Sequence, residues 1–67
     1  MKNKIKDLRK ANKLTQADLA GLVDTTRQTI ISIENGKYIA SLPLAYKIAR
    51  VFNLSIEEVF DFTSEEE

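Results

Sequence analysis

Apolar residues recur at three- and four-residue intervals from Ile5 to Phe60, and polar capping signatures cut the pattern into short pieces. This spacing buries one face of a helix at a time, and no strand alternation precedes residue 60. The expected class is all-α: five compact helices, with room for a short C-terminal strand.

The first helix is expected over 3–12, with Ile5 and Leu8 inward and Lys2, Lys4, Lys6 and Lys10 outward. Leu14 plugs the turn that follows. Thr15-Gln16-Ala17-Asp18 fits a capping box, in which cap and acid each accept a backbone amide of the other. Leu19, Ala20 and Val23 then form the apolar face of a second helix. Gly21 within it costs about 1 kcal/mol relative to Ala.

Thr26 is a suitable N-cap for a third helix over 27–35, with Ile30 and Ile33 inward. Asn35-Gly36 stops it, with Gly36 expected in the left-handed region. Ser41 caps a fourth helix over 42–52, and Pro43 is tolerated in its first turn. Leu42, Ala45, Ile48, Ala49 and Phe52 make its apolar stripe. Ser55-Ile56-Glu57-Glu58 is a second capping box, opening a fifth helix over 56–60. Phe60-Asp61-Phe62 alternates weakly like a strand. A disordered acidic tail is expected over 63–67, leaving one domain over 1–62.

Composition narrows what such a domain can do. The 67 residues include no cysteine and no histidine, which removes disulfides, thiolate metal sites and the commonest general base. Glu57 and Glu58 are adjacent and diverge on a helix, so they form no acid–base pair. No Gly-rich phosphate loop is present. The sequence therefore predicts no enzyme, no metal and no cofactor. No apolar run approaches the roughly 18 residues of a membrane span, and the charged start lacks the apolar run of a secretory signal. The expected location is the cytoplasm, at the nucleoid.

The net charge of zero conceals a polarised chain. All ten basic residues lie in 1–50, against the acids Asp7, Asp18, Asp24 and Glu34, whereas 51–67 carries six acids and no base. Such asymmetry points to a polyanionic partner or an interaction tail, and it also fits a soluble surface that is merely polarised.

The most informative stretch is 16–36, two short helices joined by a tight turn. The second helix turns Ile30 and Ile33 inward, which leaves Arg27, Gln28, Ile31 and Ser32 on the opposite face. Arg offers a bidentate fork to guanine, and Gln one to adenine. Ile31 suits a thymine methyl. On composition alone, these residues also fit an ordinary solvated helix.

Their order resembles the lambda-repressor-like Cro and xenobiotic-response-element family of helix-turn-helix regulators. The resemblance rests on Ile5-x-x-Leu8-Arg9, Leu14-Thr15-Gln16-x-x-Leu19-Ala20, Arg27-Gln28-Thr29-Ile30-x-x-Ile33-Glu34-Asn35-Gly36-Lys37 and Ser41-Leu42-x-Leu44-Ala45-x-Lys47-Ile48-Ala49. It implies double-stranded DNA as partner, read in the major groove. It also implies base-reading roles for Thr26, Arg27, Gln28 and Ser32. Phosphate contacts are implied for Gln16, Asn35, Lys37 and Tyr38. Arg9 and Glu34 match a structural ion pair between the first and third helices.

Two positions depart from the family pattern. Asp24 stands where the turn usually has Gly, and Thr25 where an apolar residue is usual. Asp adopts left-handed conformations at modest cost. The resemblance further implies a homodimer on a pseudo-palindromic operator, repressing by steric exclusion. Candidate interface residues are Leu54, Phe60, Phe62 and Ile39. The alternative for the two rings is that they complete the protomer core. Two other functions remain open at this point: an antitoxin that also binds a toxin, and a protein-interaction module without DNA binding.

Overall fold

A computed structural model describes residues 1–65 of the chain. Among these, the elements run β1 (Lys2–Asn3), α1 (Ile5–Ala11), α2 (Gln16–Leu22), α3 (Arg27–Glu34), α4 (Leu42–Val51), α5 (Ile56–Val59) and β2 (Phe60–Asp61), then a 3-10 turn over Phe62–Glu65. Both capping boxes are formed: Thr15 with Asp18 at α2, and Ser55 with Glu58 at α5. Asp18, despite its short side chain, accepts from the Thr15 amide at 2.9 Å. Thr26 and Ser41 cap α3 and α4 through the amides of Thr29 and Leu44.

The ends of α1 to α4 share one device. The amide two residues past each C-cap reaches back to the carbonyl five residues earlier: Leu14 to Arg9 (2.9 Å), Thr25 to Ala20 (2.9 Å), Lys37 to Ser32 (2.9 Å) and Leu54 to Ala49 (3.0 Å). This is the Schellman motif, which needs a left-handed residue just after the cap. Gly36 supplies it after α3 at φ 73, but Lys13, Asp24 and Asn53 supply it elsewhere, each at φ 57. Asp24 therefore takes the conformation that Gly would take at that turn.

The core joins one or more residues from every helix: Ile5, Leu19, Ala20, Val23, Ile30, Ile33, Ala45, Ile48, Ala49, Val59 and Phe60. Ala20 is small enough to let α3 pack directly on α2, so Leu19, Ala20 and Val23 meet the Ile30–Ile33 face within one cluster.

Four expectations need correction. The first helix begins at Ile5 rather than residue 3, because Lys2–Asn3 pairs antiparallel with Phe60–Asp61. Asn3 explains the break: its Oδ1 accepts from the Ile5 amide (3.2 Å) while its Nδ2 donates to the Ile33 carbonyl (2.9 Å). Leu42 does not join the α4 stripe and is 72% exposed, because it opens the helix beyond the edge of the packed layer. Phe60 is only 4% exposed and completes the protomer core, so it is removed from the candidate dimer surface. No structure is expected over 63–67, yet Phe62–Glu65 forms the 3-10 turn; Glu66 and Glu67 lie outside the described residues. No helix among the described residues is long and apolar enough to cross a membrane.

Candidate nucleic-acid interface

Helix α3 is held by its apolar side and by its far end. Ile30 and Ile33 are closed in the core, while Arg27 and Gln28 in the first turn are exposed. Thr26 is exposed too, but its hydroxyl is engaged, accepting from the Thr29 amide at 3.2 Å and meeting the Thr29 hydroxyl at 2.9 Å. Ser32 and Ile31 lie further along and are half-buried, so Ile31 is less open than its place on the helix suggests.

The far end is fixed by a polar knot. Arg9 Nε donates to Glu34 Oε2 at 2.8 Å and Nη2 to Oε1 at 3.2 Å, the two-pronged geometry that suits a guanidinium and a carboxylate. Arg9 Nη1 donates to the Leu14 carbonyl at 3.0 Å. The pair is nearly closed to water, with side chains 10% and 5% exposed. The Glu34 hydrogen bond raises the Arg9 pKa against the opposing effect of burial.

Gln16 enters the same knot. Its Nε2 donates to Glu34 Oε1 at 3.3 Å, so the amide links α2 to the α1–α3 pair. An amide nitrogen carries a second N–H.

Past α3, the Schellman turn at Gly36 places Asn35, Lys37 and Tyr38 on an exposed loop. The amides of Lys37 and Tyr38 both point back to the Ser32 carbonyl, at 2.9 and 3.3 Å, which leaves the side chains outward. Ile39 and Phe62 are exposed at 57% and 43%, and Leu54 is half-buried against the core.

Asn3 carries no functional signal in the sequence, yet it ties the N-terminus to the end of α3. A bond spanning 30 residues leaves no local spacing pattern. Lys10 and Lys13 line an open cleft with Arg9, Thr15, Gln16 and Arg27 beside the first turn of α3, and the sequence offers no reason to group them.

With the geometry in place, comparison with known proteins is specific. The helix-turn-helix family model HTH_3 matches residues 5–59. Two relatives, from Methanocaldococcus jannaschii and Archaeoglobus fulgidus, are each 52% identical over 66 residues. Those residues are 98% of this chain and 100% and 93% of theirs. Both are named uncharacterised HTH-type transcriptional regulators. Among solved structures, the restriction-modification controller protein C.AhdI from Aeromonas hydrophila superposes with a TM-score of 0.78 at 30% identity. The match covers 85% of this chain and 86% of that one, and the shared fold is lambda-repressor-like. The chain belongs to the Cro/C1-type helix-turn-helix family, a family of DNA-binding transcriptional regulators.

Proposed function

We propose that the protein is a sequence-specific repressor that binds operator DNA as a homodimer. The observation that carries this reading is the first turn of α3. Arg27 and Gln28 project there into solvent, on a helix whose opposite face is locked in the core. Bidentate pairing of Arg with guanine and Gln with adenine makes this turn the base reader, with Thr26, Ser32 and Ile31 beside it. Asn35, Lys37 and Tyr38 grip phosphate on one side, and Gln16 offers its second amide hydrogen on the other. Phosphate contacts position the helix and base contacts give the specificity.

One protomer reads one major groove. A two-fold dimer places two such helices one helical turn apart on a pseudo-palindromic site and blocks polymerase. Ile39, Leu42 and Phe62 border an apolar cavity of about 200 Å³ and form the dimer face, which Leu54 does not line. Phe60 lines the floor of this cavity but is too buried to offer contact area.

A gel-shift titration tests the reading, using a duplex from immediately upstream of the gene for this chain and an unrelated duplex of equal length. Tight, salt-dependent binding to the first and weak binding to the second is expected. No binding to either at low salt would overturn it in favour of an interaction module.

A further inference from the structure

The cleft between the α1–α2 turn and the start of α3 holds two cations with no assigned role, Lys10 and Lys13, beside the proposed base reader Arg27. Lys10, Lys13, Thr15 and Arg27 line it and are exposed, with the half-buried Gln16 beside them. Among the described residues, none of the three makes a hydrogen bond or ion pair with another side chain. The acid nearest in sequence to this rim, Asp18, is already committed to the Thr15 amide. Arg9 is turned away to Glu34.

Lys13 adds a second, independent observation. It occupies the left-handed position of the α1 Schellman motif at φ 57, where glycine is unstrained. A lysine there costs backbone stability, and among the described residues its ammonium makes no hydrogen bond or ion pair in exchange. Backbone strain of this kind is found where a side chain serves a ligand.

We infer that Lys10 and Lys13 form a second phosphate clamp. It grips the duplex backbone on the α2 side of the groove that α3 enters, opposite the Lys37 loop. The inference rests on the proposed DNA-binding function and extends it to residues outside the recognition helix. The clamp neutralises two phosphates and reads no base, because both ammonium groups are point charges lying off the base-reading turn.

Lys13→Gly separates the clamp from a structural role, since it removes the charge while relieving the backbone. The variant should melt higher than wild type yet bind DNA more weakly. Each phosphate contact contributes about 0.9 to the slope of log affinity against log salt. The double variant Lys10→Gln/Lys13→Gly should therefore lower the slope by roughly 1.8. From about 50 to about 200 mM salt, its affinity should fall by a factor about twelve smaller than the wild-type fall. Both the upstream and the unrelated duplex should show this change, with their affinity ratio preserved.

An unchanged slope in a variant that still folds would overturn the clamp and leave the DNA-binding reading intact. A changed affinity ratio would also overturn it, because the two lysines would then read bases. If wild-type protein binds neither duplex, both the clamp and the function it rests on fail.

Discussion

Arg9 on α1 and Glu34 at the end of α3 form a two-pronged ion pair, 2.8 and 3.2 Å, with hardly any access to water. The pair fixes the end of α3 remote from its first turn, the proposed base reader, so a charge contact inside the protein sets the aim of the exposed end of the helix. Removing one partner from such a pair leaves a buried charge and costs about 3–5 kcal/mol. A domain this small has roughly that much stability in total. Glu34→Ala should therefore be largely unfolded at room temperature in a urea or thermal titration. Arg9→Met combined with Glu34→Leu should lose much less, since no charge is stranded.

The two glycines should respond with opposite sign. A Cβ on Gly21 meets nothing within 4 Å, so Gly21→Ala should add about 0.4–1 kcal/mol to stability. Gly36 sits at φ 73, where Ala is strained, and Gly36→Ala should cost at least as much. Asn53→Gly should change little, because Asn tolerates the left-handed region. Thermal melts of the three variants check the order.

Phe60 and Phe62 are two residues apart and should behave as different kinds of residue. Phe60→Ala empties a core site and should cost about 3–5 kcal/mol. Phe62→Ser should leave the melt of the dilute protomer nearly unchanged. On the proposed dimer face it should weaken self-association, read by sedimentation over a concentration series.

The capping acids give the fold an acid limit. Backbone and side-chain hydrogen bonds from Thr15 hold the Asp18 pKa below its ordinary value, and those from Ser55 do the same for Glu58, helped by Lys4. A lowered folded-state pKa contributes stability that is fully present above the unfolded value, about 4 for these groups, and is lost as pH falls through the folded one. Stability should decline below about pH 4, and less steeply in Asp18→Asn/Glu58→Gln. Urea midpoints at stepped pH measure this.

Much of the architecture is written locally. Thr15, Thr26, Ser41 and Ser55 each cap the helix that sequence spacing assigns them, because a cap is satisfied three residues away. Contacts that depend on distant partners were not legible. Lys2–Asn3 becomes a strand only because Phe60–Asp61 lies beside it. The alternation at Phe60-Asp61-Phe62 shows that the two rings share a side of the strand, yet one closes the core and the other is open where the chain turns away. Asn12-Lys13 breaks the helical pattern and marks a turn, but nothing marks Lys13 as left-handed, since lysine does not favour that region. At the interface, exposure of Arg27 and Gln28 follows from the helical period. The hold of Glu34 on Gln16 does not, because it joins residues on different helices.

The most direct measurement is a selection of bound sequences from a randomised duplex pool, performed with wild type and with Arg27→Ala/Gln28→Ala after thermal melts establish equal folding. Wild type should return a two-fold symmetric motif, and the variant should lose base preference within each half-site while keeping salt-dependent binding. Recovery of the same motif by both proteins would contradict the assignment of the first turn of α3 as the base reader.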